Sequence, residues 1–192
     1  GLHDSAVYQC IILDAVDIRL AHGHHAAPIP EITPIAKTTE VTPTAHTAEH
    51  LLNQTMMRMF GCGRAVVAHI ERKKSKMDFV LDHKPQRKEE KEIEDAMNRL
   101  IAMDMPVTCE YVTLADLTPE STAPGGKYAG VNIDRLPDEV SETICLVRIG
   151  DYDVCPCIGK HVRSTAQIGR FELLGTSWDE HKRLFRVRYK IV

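Results

Sequence analysis

Apolar residues recur through residues 43–60 at the spacing of an amphipathic helix, with Ala48, Leu51, Leu52, Thr55 and Met59 forming one stripe. Thr42 before Pro43 reads as an N-cap threonine with proline at the first helical position, and Gly61 reads as the C-cap glycine. His46, His50, Asn53 and Met57 share a second face, so both histidines point the same way. The period then shortens. Residues 65–70 and 77–81 read as strands on either side of a basic turn, which predicts a hairpin. Helical spacing returns from Pro85 to about Met103, carried by Ile93, Ala96, Met97, Leu100 and Ile101 and closed by Pro106. Strands are expected over 107–114, 144–149 and 171–174, with a Pro- and Gly-rich loop over 119–130. In the last segment Phe185, Val187, Tyr189 and Ile191 alternate with Arg186, Arg188 and Lys190, an apolar face inward and a cationic face outward. Helix, hairpin, helix and then several strands predict an α+β domain, a mainly antiparallel β-sheet packed against two principal helices.

Residues 1–40 differ in kind. An aliphatic stretch over 7–20 gives way to His22, His24 and His25 and then to Pro28, Pro30 and Pro34, a composition that favours extended chain. An N-terminal extension is therefore expected at 1–40 and the domain at 41–192. The histidine tract, with nothing to fix its geometry, reads as a solvated segment rather than a metal site. With 192 residues, 43% of them apolar and only 5% aromatic, the chain can bury one core, built mainly of aliphatic residues and methionine. No run of about 18 apolar residues occurs, and the N-terminus lacks the pattern of a signal peptide, so a soluble, cytoplasmic protein is expected. The six cysteines (Cys10, Cys62, Cys109, Cys145, Cys155 and Cys157) lie in apolar contexts of a chain large enough not to need staples. Most are expected as buried thiols. A net charge of −3 gives no global attraction to nucleic acid. It leaves two local patches, the turn with Arg72, Lys73, Lys74 and Lys76 and the strand with Arg186 and Arg188, whose default reading is solvated surface.

The chemistry lies in two short motifs. His46 and His50 make H-x-x-x-H, and Cys157 and His161 make C-x-x-x-H. Three imidazoles and a thiolate suit Zn²⁺, and they suit a hydrolytic site where one coordination position stays open to water. The zincin protease motif needs Glu directly after its first His, whereas Thr47 follows His46 here, so a metalloprotease is disfavoured. On spacing alone, two unrelated pairs of capping or core residues account for the pattern equally well.

Flanking sequence separates the two readings. Residues 44–52 (TAHTAEHLL), Asp78-Phe79, Met97-Asn98-Arg99, Arg148-Ile149-Gly150, Cys157-Ile158-Gly159-Lys160-His161-Val162 and residues 164–171 resemble, in that order, the editing domain shared by alanyl- and threonyl-tRNA synthetases. The same domain occurs as freestanding alanyl-tRNA editing proteins, and the resemblance runs over roughly residues 41–192. It implies hydrolysis of the ester that joins a wrong amino acid to the 3′ end of tRNA, Ser- or Gly-tRNA(Ala) in the alanyl branch. It also implies Zn²⁺ on His46, His50, Cys157 and His161 and tRNA as the partner, with neither membrane nor DNA. In the threonyl branch the equivalent residues act without an obligatory metal. Two departures stand out: Ile158-Gly159-Lys160 replaces the alanyl Gly-Gly-Thr, and Cys155 stands where the threonyl branch tends to carry an acid.

As candidate substrate-binding residues, Gly159 is the retained glycine, and Lys160 either meets a phosphate or the terminal ribose or simply faces solvent. Thr47 or Asn53 could bond a serine hydroxyl, with helix backbone and water as competing partners. Four protein ligands form a closed set on the structural-zinc rule, so water activation would need a fifth position or a displaced ligand. Other readings are a non-catalytic tRNA- or protein-binding module, a threonyl-type editing hydrolase, and a hydrolase of free small esters or amides.

Overall fold

The computed structural model of the chain describes residues 41–71, 73–133, 143–157 and 159–192. The expected N-terminal extension with its His22, His24 and His25 tract, Cys10, Arg72 and Ile158 lie outside the described residues.

Helix α1 spans Pro43–Phe60 with the predicted caps in place. Thr42 Oγ1 accepts the Ala45 N–H at 3.3 Å. Gly61 takes the left-handed conformation that glycine adopts without strain (φ 63°), and its N–H donates to the Met57 carbonyl at 2.9 Å. Most of the stability of a helix in a protein comes from packing of its apolar face. Leu51, Leu52 and Met56 are fully buried, each such side chain contributing about 1.5–3 kcal/mol. Met59, expected in the stripe, is half-buried, because the stripe drifts round the helix and Met56 takes the deepest place.

Strands β1 (Val67–His69) and β2 (Ser75–Val80) form the expected antiparallel hairpin. Helix α2 (Arg87–Ala102) opens on a capping box in which Glu89 Oε2 accepts the Gln86 N–H at 2.8 Å. It buries Ile93, Met97 and Ile101. Then come β3 (Val107–Thr113), the one-turn helix α3 (Pro119–Thr122) inside the expected loop, β4 (Thr143–Ile149), β5 (Asp153–Pro156), β6 (Phe171–Asp179) and β7 (Leu184–Ile191). Every strand pair is antiparallel, and the α+β class is as expected. The strands divide into two sheets, β1-β2-β7-β6 and β3-β4-β5.

Three details correct the sequence reading. β5 was not expected: its four residues include Asp153 and Pro156, and proline is tolerated because β5 is an edge strand. β6 runs to Asp179 rather than ending at 174, because the register shift between Leu173 and Gly175 breaks the alternation that marks a strand. Cys109 and Cys145 are joined as a disulfide, since antiparallel pairing of β3 with β4 brings their Cα atoms to 5.9 Å. Of the free cysteines, Cys157 is buried, whereas Cys62 and Cys155 are half-buried.

The main core lies between the two long helices and the inner face of the first sheet, where Met77, Phe79, Phe185, Val187 and Tyr189 meet Leu51, Leu52, Met56, Ile93 and Met97. A smaller cluster, including Val112, Leu117, Tyr128 and Leu146, lies under the second sheet. Among the described residues no helix is long and apolar enough to cross a membrane.

Candidate metal centre

The second sheet is tied to α1 through Tyr152, in the turn between β4 and β5. Gln54 Nε2 and Arg58 Nη2 each donate to the Tyr152 carbonyl at 2.8 Å, and the Arg58 guanidinium lies 4.1 Å from the centre of the Tyr152 ring. The Tyr152 hydroxyl lies 2.9 Å from Thr55 Oγ1. These contacts set β5, and the chain that follows it, against the histidine face of α1. Beyond β5 the Cys157 N–H donates to the Cys145 carbonyl at 2.9 Å. Further on, the Val107 N–H donates to the Arg163 carbonyl at 2.9 Å.

The two motifs converge as a result. One ligand atom from each of His46, His50, Cys157 and His161 lies within 4.8 Å of the others. The His46 and His161 rings stack with centroids 4.2 Å apart, and His50 meets both rings edge-on. Cys157 Sγ lies 3.3 Å from His46 Nε2. His46, His50 and Cys157 are buried and His161 is half-buried.

The Nδ1 atoms of His46 and His161 are within hydrogen-bond distance of a partner, and that of His50 faces a carboxylate from farther off. The Lys160 carbonyl lies 3.3 Å from His46 Nδ1, Thr47 Oγ1 lies 3.0 Å from His161 Nδ1, and Asp153 Oδ2 lies 3.7 Å from His50 Nδ1. That arrangement leaves the three Nε2 atoms for a shared ligand, as outer-shell partners do at metal sites. His161 Nε2 is a buried atom with no hydrogen-bond partner, which a cation would satisfy. The donor set and this orphaned nitrogen fit a borderline-soft divalent ion such as Zn²⁺.

Burial sets the local electrostatics. It pushes the His161 pKa down to about 4. It also opposes charging of His50, but the Cys157 thiolate and Asp153 outweigh it and hold His50 well above the usual histidine range. Burial would raise Asp153 as well; His50 and the Arg64 guanidinium outweigh it, and the carboxyl sits below its ordinary value. Glu49 is raised by burial, and its Oε2 lies 4.0 Å from His46 Nε2.

The other expected site residues fall out unevenly. Gly159 packs against His46 so closely that a Cβ would stand 2.0 Å from Cε1 of the ring. Lys160 is exposed, and its backbone carbonyl adjoins His46. Thr47 is fully buried; besides facing His161, its hydroxyl donates to the Pro43 carbonyl at 2.8 Å and accepts the Val162 N–H at 3.2 Å. Asn53 Oδ1 accepts the Ala65 N–H at 2.8 Å, so its carbonyl end serves the backbone. Of the basic residues, Lys73 and Lys74 are exposed, Lys76 and Arg188 are half-buried cross-strand neighbours, and Arg186 is bound to Asp78 by two bonds of 2.7 and 2.6 Å. Lys76, Arg186 and Arg188 alternate with the core residues of β2 and β7 and so face away from α1, and the fold does not bring them to the histidines. Sequence reading missed Glu49, Arg64 and Asp153. Glu49 lies inside the H-x-x-x-H motif, but nothing local marks Arg64 and Asp153, which are 89 residues apart.

Fold and site define an α+β domain with a largely buried group of three histidines and one cysteine. Residues 144–188, which carry Cys157 and His161, match the family described as the threonyl and alanyl tRNA synthetase second additional domain. An alanine–tRNA ligase of Methanococcus vannielii is 29% identical over 135 residues, covering 68% of this chain and 14% of that protein. The alanyl-tRNA editing protein AlaX-L of Pyrococcus horikoshii is 28% identical over 144 residues, covering 75% of this chain and 32% of that protein. An alanine–tRNA ligase of Treponema pallidum is 30% identical over 141 residues, 69% of this chain and 20% of that protein. The chain is related to the alanyl- and threonyl-tRNA synthetase editing-domain family and is AlaX-like, and it matches a third or less of the length of each of these relatives.

Proposed function

We propose that the chain hydrolyses mischarged tRNA, Ser- or Gly-tRNA(Ala), at a Zn²⁺ site formed by His46, His50, Cys157 and His161, within an editing unit at 41–192 to which residues 1–40 are an extension. The observation that carries this reading is the convergence of four ligand atoms to within 4.8 Å from two motifs over a hundred residues apart, in a chain related to an editing-domain family. Zn²⁺, when bound, supplies a Lewis acid that polarises the ester carbonyl or orients the substrate's amino group. The protein's own groups do the rest. Glu49 is the carboxylate at the wall of the site and is placed to take the proton of the attacking water at Oε2. Water oxygen bonds to the ester carbon, the bond to the ribose 3′ oxygen breaks, and that oxygen leaves as a hydroxyl after regaining a proton. Gly159 leaves room for the His46 ring, and the exposed Lys160 beside it meets the terminal phosphate or ribose. The partner is thus the aminoacylated 3′ end of tRNA. Thr47 acts through His161, by holding its Nδ1, rather than on a serine hydroxyl.

The test is deacylation of a panel of mischarged tRNAs, with and without chelator, alongside zinc content. His46→Ala and Cys157→Ala are expected to abolish release of the amino acid and to lose zinc. Glu49→Gln is expected to keep zinc and to lower the turnover rate by about 10²- to 10⁴-fold. Full activity in both ligand variants would overturn the reading, and a zinc-loaded wild type inert on every tRNA would favour a non-catalytic binding module.

A further inference from the structure

Two of the three imidazoles rest on neutral partners, a backbone carbonyl for His46 and a threonine hydroxyl for His161. At Nδ1, among these three rings, His50 alone faces a carboxylate. Asp153 is 4% exposed and comes from an edge strand, where a buried acid needs a reason. Its two oxygens are treated differently. Oδ1 accepts from Arg64 Nη2 at 2.6 Å, and the same guanidinium nitrogen donates to the Val154 carbonyl at 3.3 Å. Oδ2 is buried with no hydrogen-bond partner, and so is His50 Nδ1. These two atoms lie 3.7 Å apart. A movement of roughly 0.5 Å would bring them within hydrogen-bond distance.

We infer that Asp153, clamped by Arg64, is the positioning carboxylate for His50: it takes the Nδ1–H and so presents Nε2 to the metal. This inference rests on the proposed metal site. The carboxylate fixes the tautomer, because a proton held at Nδ1 leaves the Nε2 lone pair free, and it makes that nitrogen a stronger donor. Arg64 occupies the other oxygen, which keeps the carboxylate beside the imidazole and prevents it from turning into the site as a ligand of its own. Asparagine at this position would keep the shape but could offer an N–H to Nδ1, favouring the tautomer whose Nε2 cannot bind metal.

The test uses the full chain and reads metal affinity rather than turnover. Zinc affinity is measured by competition with a chromophoric chelator for wild type and Asp153→Asn, and both proteins are loaded with Co²⁺ for visible spectra. Asp153→Asn is expected to weaken zinc about 10- to 100-fold and to change the Co²⁺ d–d bands while the thiolate charge-transfer band from Cys157 remains. A merely structural ion pair would lower the melting temperature and leave affinity and spectrum alone. If Asp153→Asn fails to fold, Arg64→Lys carries the test and is expected to weaken zinc several-fold, because it loosens the clamp. Unchanged affinity and spectrum in a variant whose wild type binds zinc would overturn this inference and leave the proposed metal site standing. A wild type that binds no zinc would overturn both.

Discussion

A Cβ added at Gly159 would stand 2.0 Å from His46 Cε1 and 2.5 Å from Nδ1. His46 is itself held between the Lys160 carbonyl and Cys157, so the ring cannot turn aside without losing one of them. Gly159→Ala is therefore expected to displace His46 and weaken zinc binding about 10- to 100-fold, the range seen when a ligand's support is disturbed. Chelator competition measures it; an alanine variant that binds zinc as tightly as wild type would mean that the ring has room to yield. At this scale the sequence was informative for His46 and His50, because i and i+4 on a helix share a face; Cys157 and His161 carry the same spacing outside any described helix, and it is the fold that brings them to the other pair. It was silent on Arg64 and Asp153, whose meaning comes only from being folded against each other and His50. Thr47 shows the intermediate case. Its place beside His46 was legible, but whether its hydroxyl stayed free for a substrate or was taken up by the protein depended on the helix backbone and on where residues 161–162 return, and both engage it.

Of the side chains that join helix α2 to strand β6, Asn98 serves both polar groups of Phe171. Asn98 Oδ1 accepts the Phe171 N–H at 3.0 Å, and Asn98 Nδ2 donates to the Phe171 carbonyl at 2.9 Å. Phe171 itself is 1% exposed and stacks on Tyr189, so its backbone groups have little access to water. Asn98→Ala is expected to destabilise the protein by about 1–3 kcal/mol, because it strands a backbone donor and acceptor. Urea unfolding of the full chain gives the value, and an unchanged midpoint would show that water replaces the amide. Both long helices were legible to within about two residues at each end because their signals are local: Thr42-Pro43 and Gly61 for α1, and a hydrophobic stripe ahead of Pro106 for α2. The strands were less so. β5 is too short and too polar to show alternation, and the register shift at Gly175 hides the second half of β6. The division into two sheets rests on β2 pairing with β7 from the far end of the described chain, which no local pattern reports.

Across the whole molecule the positive charge divides into residues that hold the fold and residues that remain open to a partner, a division a sequence pattern cannot make. Arg186, Arg188 and Lys190 look alike on one alternating strand. Arg186, however, grips Asp78, which is 3% exposed, while Lys190 pairs with Glu172 at 2.7 Å. Removing Arg186 leaves a buried carboxylate without its cation. Arg186→Ala is expected to cost about 1–3 kcal/mol, less than a fully buried pair because the arginine side chain is itself 36% exposed. Lys73 and Lys74 stand exposed at the hairpin turn, and alanine there is expected to leave stability within about 0.5 kcal/mol of wild type. Their contribution, with Arg188, would be to tRNA. Each of the three that meets a phosphate is expected to lower the slope of log affinity against log salt by about 0.7 to 0.9 when replaced by alanine. The basic face of the first sheet is turned away from the helix that carries His46 and His50, so a tRNA whose 3′ end enters the site must pass around the sheet edge to reach Arg188. Lys73 and Lys74, at the hairpin turn beside edge strand β1, do not depend on that path. The expected order of loss in tRNA affinity is therefore Lys73→Ala with Lys74→Ala ahead of Arg188→Ala, measured by filter binding over a salt series. A salt slope unchanged in all three variants would remove this surface from the tRNA footprint, and a larger loss from Arg188→Ala would place the tRNA across the outer face of the sheet.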